Sequence, residues 1–566
     1  MHKMKHTKPF RHPYDTDTAF PLRCAYICME FGIEQPLKTY AGGLGFLAGS
    51  FMRSAYELRL PVIGIGILWK YGYYDQCRKQ DQTMDVHFGE KSYGFLEDTG
   101  IRFKIKVSRQ DVLVGAWYLP PDVFGTAPVF FLSTDLPEND HLARTISHKL
   151  YDSNPETFIA ASILLGQGSA MLMEALDWQP DLWHMNESHG LPLAFQLYAR
   201  FRDADEVRRR IVFTSHTPET AGNPKSSMSL LEKMGFFGEL SADDVKRLTG
   251  TEGHTLDHSL AALRLSGICN GVSKMHGDTL KKMWSHEKNI APLTYVTNAQ
   301  SFDYWKDPGL YAAMEQQDDP RIQSIKRSHK RALFEVVADQ CGRIFDERIC
   351  TIVFAKRFAG YKRPDLFFHH MERFEKLVGN STHPVQIIWA WKPYPQDYNA
   401  IGVFDRIVEV CKRHNNCAIL TGYELHLSKM LKRGADLWLN VPRLTHEASG
   451  TSGMSAAMNG AVNLALPDGW YPEFARHGVN GFVIRHCDIS LQEDLQDDND
   501  SACLFDALEN EVLPMYYESP GKWTSIIKQA MRDVVPAFDA DRMAIEYYER
   551  LYAHVADPHR KKTEAR

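Results

Sequence analysis

Short apolar runs rich in β-branched and aromatic residues alternate with amphipathic stretches along the whole chain, and no other feature narrows the possible folds as much. AYICMEF, LPVIGIGILW, DLWHMN, RRIVFTSHTP and TYVTN lie in the first half, and ICTIVFAKRF, VQIIWAW, CAILTGY and DLWLNVP in the second. Strands separated by helical segments predict an α/β protein whose parallel sheets are covered by helices on both faces. In such sheets ligands sit beyond the carboxyl ends of the strands. Many of the unusual polar clusters follow a run at once, as in WHMNESHG, FTSHTPETAGN, FAKRFAGYKR, WAWKPYP and NVPRLTHEASGT.

The chain's 566 residues exceed what one core can organise. Two domains are expected, 1–300 and 301–566. Between about Asn298 and Ile349 the sequence is charged and helical, which predicts a helical connector with the break near residue 300; from about Lys522 to Val555 it is helical again. A formal charge of −6 with no long basic run argues against a nucleic-acid partner, because phosphate neutralisation needs a clustered basic face. The leader MHKMKHTKPFRHPYDTD has no apolar stretch after it, and LPVIGIGILW is about half of the roughly 20 residues a membrane span needs. A cytoplasmic protein with no membrane partner is expected. The closest cysteine pairs, Cys24 with Cys28 and Cys411 with Cys417, lack a second matching pair to complete a zinc site and read as free thiols.

Several clusters carry chemistry. TYAGGLGFLAGSF follows a strand and opens a helix, so Gly42, Gly43 and Gly45 can let backbone approach a ligand, and the helix start offers free N–H groups to an anion. A structural tight turn is the alternative. WHMNESHG and FTSHTPETAGN place His184, Asn186, Glu187, His189 and His216 just past strands, a directional array suited to sugar hydroxyls. No histidine pair at metal-ligand spacing supports a metal site, and none is expected. FAKRFAGYKRPDL supplies Lys356, Arg357, Lys362 and Arg363 at a strand end, as expected of a phosphate site; Lys392 in AWKPYP is a further candidate cation. EASGTSGM forms a second cradle of small residues at a helix start, and Glu447 there can accept sugar hydroxyls or serve in helix capping.

Taken in order, YxxMEFGI, YxGGLGxLAG, HMNExH, HTPxxAGN, NGVSxxHG, FAxRFxxYKR, WLNxPRxxHEASGTSGM, DGWYPE and NGF resemble the α-glucan phosphorylases, most of all their short bacterial and archaeal branch. The resemblance implies a GT-B fold, two Rossmann-like domains with a cleft between them, the first on the sugar and acceptor side and the second on the phosphate and donor side with a terminal helical segment. It implies a retaining glycosyl transfer. By the same resemblance Gly42, Gly43 and Leu44 approach the anomeric region, and Asn186, His189, His216 and Asn298 contact the glycosyl unit. Glu447, Ser449 and Gly450 hold its hydroxyls; Arg357, Lys362 and Thr451 bind phosphate, with Lys392 beside them. Arg357, Lys362, His189 and Glu447 are the residues expected to carry catalysis. Family members commonly form homodimers.

The family's pyridoxal phosphate is held as an imine by a lysine eight residues past the glutamate. Here that position is Ser455, whose hydroxyl forms no imine. Ala299 in TNAQ and the segment AWKPYP also depart from the family pattern. The leading expectation is therefore a pyridoxal-phosphate-independent retaining transferase, with no cofactor. It would move a hexosyl unit, glucosyl by default, from a nucleotide sugar or sugar phosphate to a glycan or small-molecule acceptor. An α-glucan phosphorylase with non-covalently bound pyridoxal phosphate is the second reading. A glucan-binding pseudoenzyme is the third.

Overall fold

The computed structural model describes residues 9–219 and 222–557. In chain order the strands are β1 (Cys24–Cys28), β2 (Val62–Ile67), β3 (Asp75–Arg78), β4 (Met84–His87), β5 (Glu97–Val107), β6 (Gln110–Leu119), β7 (Val129–Ser133), β8 (Leu182–Asn186), β9 (Ile211–Thr214), β10 (Lys225–Ser227), β11 (Thr255–Asp257), β12 (Ile268–Gly271), β13 (Leu293–Tyr295), β14 (Cys350–Arg357), β15 (Val385–Lys392), β16 (Cys417–Leu420), β17 (Leu437–Asn440), β18 (Val462–Ala465) and β19 (Phe482–Val483). The described residues divide into two compact units. Of these, unit 1 draws on residues 9–73, 88–219, 222–297 and 540–557, and unit 2 on Tyr74–His87 and Asn298–Asp539.

The sheet of unit 1 runs β13-β12-β9-β8-β1-β2-β7-β6-β5. It is parallel from β13 to β7 and antiparallel where β6 and β5 close the edge. CAYIC and VIGIGI are buried at every position because helices cover both faces, so their sequences read as continuous apolar runs. β5 instead alternates between buried and exposed residues. The helix Pro155–Ala175 is long and apolar enough to cross a membrane by length and composition, yet 72% of its most apolar window is buried inside the molecule. It packs on β5 and on the helix Pro192–Phe201, a core role.

The six strands of unit 2 run β16-β15-β14-β17-β18-β19 and are all parallel. Leu333, Val353, Ile388, Ala418, Leu431, Trp438 and Ala456 share its core. An α/β chain with large parallel sheets is thus observed. The stretch expected to be a connector belongs to this unit, because the helix Asp319–Cys341 buries Leu333, Phe334 and Val337 in the core. Its Lys326 Nζ donates to the carbonyls of Arg433, Ala435 and Asn459 at 2.7, 2.7 and 3.1 Å, satisfying acceptors in the last turn of one helix and just past the ends of two.

Two assignments to 1–300 and 301–566 are corrected. The hairpin β3–β4 packs on unit 2 although it lies early in the chain. The terminal helical segment returns to unit 1 from Ala540 onward. There the Tyr552 hydroxyl meets His184 Nδ1 at 2.8 Å, and the Tyr547 ring packs edge-on against the His184 imidazole. Large aromatic rings bury more apolar surface in that position than they would in a solvated tail.

Candidate active site

In unit 2 the strand β14 ends in Lys356 and Arg357, and the next turn, Gly360–Lys362, delivers Lys362. Past the end of β17 the chain passes Glu447 and reverses at Gly450, whose φ of 88° is the left-handed region that glycine tolerates, before the helix Thr451–Ala457 begins. Lys356 Nζ and Lys362 Nζ donate to opposite oxygens of the Glu447 carboxylate at 3.4 and 3.3 Å. Lys356 and Glu447 are buried, and Arg357 is exposed. Burial lowers Lys356 to about 8 against the opposing pull of Glu447. Burial alone would raise Glu447, but Lys362 and Lys356 outweigh it and hold the carboxyl below its ordinary value.

A second carboxylate supports the first. Asp468 Oδ2 accepts the Glu447 amide at 3.0 Å and Oδ1 accepts the Gly469 amide at 2.8 Å. A Cβ on Gly469 would stand 2.3 Å from the Ser449 carbonyl oxygen, so only glycine fits where DGW crosses the EASGT loop. Burial pushes Asp468 up to about 7. Its sequence motif was part of the family pattern, but nothing in the motif identified this role.

Ser449 Oγ and Asn298 Oδ1, also in unit 2, are buried and meet no hydrogen-bond partner among the described residues. A group left so costs about 1–3 kcal/mol unless a ligand or water meets it. Lys392 pairs with Arg357 in strand register, yet its ammonium lies 3.0 Å from Glu424 Oε1 and 4.8 Å from the Tyr74 ring centre. Thr451 opens its helix. Ser455 is fully buried, and its hydroxyl donates back to the Thr451 and Ser452 carbonyls at 3.3 and 3.4 Å. These residues do not fit a covalently anchored aldehyde cofactor: the side chain at the anchoring position forms no imine and is turned onto its own helix.

The hairpin β3–β4 covers the carboxyl ends of β15 and β16. Gln76 donates to the Trp391 carbonyl at 2.8 Å and accepts the Gly422 amide at 3.0 Å. Tyr74 donates to the Pro393 carbonyl at 2.6 Å, and Arg78 donates to the Ile419 carbonyl.

In unit 1 the helix Gly43–Glu57 has Gly42 as N-cap, no side-chain cap and no acidic residue in its first turn. Gly43 is exposed, and a Cβ there would meet open space. The steric need for glycine lies deeper in the motif: at Gly49 a Cβ would come 2.1 Å from the Gly32 carbonyl oxygen. Glu30 holds the turn, its Oε2 accepting the Ala41 and Gly42 amides at 2.7 and 3.1 Å and its Oε1 the Tyr151 hydroxyl at 2.6 Å. The Tyr151 and Phe158 rings flank His189. Neither Glu30 nor Tyr151 was singled out from the sequence, since each acts on residues distant in the chain.

Asn186 Oδ1 bonds His216 Nε2 at 2.6 Å, and Glu187 Oε1 accepts the His216 amide. Glu187 has a φ of 70°, strained for a non-glycine residue, and burial raises its carboxyl to about 7. Burial lowers His189 to about 4 and His216 to about 3, so both are neutral hydrogen-bonding groups near pH 7. His189 Nδ1 is buried with no partner among the described residues. His184 is a core residue, bonded to Tyr552 and Thr214.

Comparison with known proteins adds a common ancestry. Residues 309–478 match the family model for carbohydrate phosphorylase. The chain is 43% identical to an uncharacterised protein of Methanocaldococcus jannaschii over 93% of this chain and 99% of the relative. It is 32% identical to a maltodextrin phosphorylase of Thermococcus litoralis over 93% and 70% of the two chains, and 30% identical to a glycogen phosphorylase of Aquifex aeolicus over 96% and 88%.

Proposed function

The chain belongs to the carbohydrate phosphorylase family, and from that premise we propose that it transfers a glucosyl unit between a sugar 1-phosphate and a glucan, with retention and without a covalently held pyridoxal phosphate. The observation that carries the reading is the pairing of an intact cation set with a lost anchor. Lys356, Arg357 and Lys362 stand together at a strand end, while the Ser455 hydroxyl donates to the Thr451 and Ser452 carbonyls of its own helix.

Each unit's residues then have distinct work. In unit 2 the three cations hold the phosphate and stabilise the charge it gains as the anomeric C–O bond breaks. Glu447 keeps two of them in place, and Ser449 Oγ and Asn298 Oδ1 find sugar hydroxyls as partners. The acceptor hydroxyl bonds to the anomeric carbon from the face the phosphate leaves and gives its proton to that phosphate. In unit 1 the neutral imidazoles of His189 and His216 are suited to hydrogen-bonding sugar hydroxyls.

Between the two donor classes, the hairpin favours the sugar phosphate. A nucleotide's base and ribose would lie beyond the carboxyl ends of parallel strands, where Tyr74, Gln76 and Arg78 already bond backbone in the last residues of β15 and β16 and just past them. The test is a donor panel on the purified protein, scanned first for a pyridoxal absorbance band. Glucose 1-phosphate is expected to raise the thermal midpoint and to release inorganic phosphate as a malto-oligosaccharide grows, with no pyridoxal band. Turnover of a nucleotide sugar alone, or turnover only after addition of pyridoxal phosphate, overturns the proposal; glucan binding with no turnover of any donor points to a pseudoenzyme.

A further inference from the structure

We propose that Asp497 is a positioning residue for the phosphate site, a single carboxylate that clasps the loop carrying Lys362 to the loop carrying Glu447. The inference rests on the phosphate-site reading above. Asp497 lies on the helix Glu493–Ala507, outside every motif of the sequence pattern. Its carboxylate takes Arg363 Nη1 at 2.8 Å and Arg443 Nη2 at 3.1 and 3.0 Å.

Those two arginines belong to the two site loops. Arg363 follows Lys362 directly and has a left-handed φ of 49°. Its side chain is buried and reaches across to the other loop, donating from Nε to the Val441 carbonyl and from Nη2 to the Pro442 carbonyl, both at 3.0 Å. Arg443 stands four residues before Glu447, and its amide donates to the Tyr361 carbonyl at 2.7 Å. The 3.3 Å contact between Lys362 and Glu447 is therefore framed by backbone bonds that run between the loops, and both guanidinium groups end on one carboxylate.

The other acids near the clasp do not share this position. Asp500 lies 2.9 Å from Arg363 and accepts the Cys487 amide, but no contact with Arg443 is seen. Glu493 meets Arg443 at 3.2 Å from a side chain that is 76% exposed, where an ion pair contributes little. Two buried guanidinium groups are stable only when paired. Replacing Asp497 leaves each arginine with its own separate partner and removes the carboxylate that both share.

The test compares wild type with Asp497→Asn, Arg443→Lys and Glu493→Gln, each checked for its thermal midpoint. Calorimetric titration with inorganic phosphate and hydrogen exchange of the segment 441–447 read the site without relying on turnover. Asp497→Asn is expected to weaken phosphate binding about tenfold or more, to lower kcat for transfer from glucose 1-phosphate, and to speed exchange in 441–447. Arg443→Lys keeps the charge but not the fork, so an intermediate loss is expected. Glu493→Gln should match wild type. Phosphate affinity and 441–447 exchange in Asp497→Asn equal to those of wild type overturn the clasp. If Asp497→Asn does not fold, Arg443→Lys decides on the same two readouts. Failure of wild type itself to bind phosphate instead overturns the functional reading on which the clasp rests.

Discussion

Acidification from pH 7.5 to 5.5 should loosen unit 1, and the size of the effect follows from its buried imidazoles. His184, His258 and His276 are at most 2% exposed, and burial lowers them to about 3, 4 and 4 from an ordinary 6.5. The unfolded chain binds protons that the folded chain refuses, so the stability these groups contribute is present above pH 6.5 and is lost as pH falls. Over this interval each contributes a loss of about 1.4 kcal/mol, or about 4 kcal/mol for the three. Glu187 runs the other way: its folded value of about 7 lies above the ordinary 4.5, so protonation on acidification returns about 2 kcal/mol. These four groups together give a loss of about 2 kcal/mol, and His12, His189 and His216 enlarge it with the same sign. Asp468, raised to about 7 in unit 2, opposes the trend there, so a global melt would blur the two. Hydrogen exchange of 182–186 and 211–217, corrected for intrinsic rates, isolates unit 1. Protection at pH 5.5 equal to or above that at pH 7.5 would refute the reasoning.

Two further outcomes are expected at the site. Lys362→Ala and Arg357→Ala should each slow transfer from glucose 1-phosphate about 10- to 150-fold, because a charge-assisted contact to phosphate contributes about 1.5–3 kcal/mol; Arg357→Ala, at an exposed side chain, should leave the thermal midpoint nearly unchanged, whereas Lys362→Ala should lower it by taking one of two cations from buried Glu447, and full activity in both sinks the phosphate-site assignment. Ser455→Lys should lower the midpoint, since Ser455 is fully buried and overpacking costs about 1–3 kcal/mol, and should give no borohydride-reducible adduct with pyridoxal phosphate. A reducible adduct that brings glucan phosphorolysis with it shows that only the anchor was lost.

What the sequence disclosed follows from how each residue acts. β1, β2, β14 and β15 were legible because a strand buried on both faces reads as a near-continuous apolar run, broken in β14 and β15 mainly at their ends. The hairpin β3–β4 was not, since DQCR and MDVH are half exposed and gain their place from bonds to residues over 300 positions away. The same division runs through the site. Lys356, Arg357 and Lys362 announce themselves by crowding one strand end, and Glu447 by its glycine-rich surroundings. Glu30, Asp468 and Asp497 do their work by accepting backbone amides or guanidinium groups 11 to 134 residues distant, and a lone carboxylate on a strand end or helix carries no local mark of that.

Charge in unit 2 sharpens the argument about the cofactor. Lys356 and Lys362 bring their charges against the Glu447 carboxylate they share, and Asp468 is half neutral near pH 7. The Lys392 ammonium lies against Glu424 at 3.0 Å. One phosphate dianion already exceeds the charge that Glu447 leaves uncompensated on the two lysines. Two phosphates side by side, one from a cofactor and one from the substrate, would bring four negative charges into a region where Lys356 and Glu447 are already shielded from water, and uncompensated buried charge is costly. The charge around Glu447 and the back-bonded hydroxyl of Ser455 are independent features, one electrostatic and one covalent, and both agree with the proposed single phosphate carried by the donor.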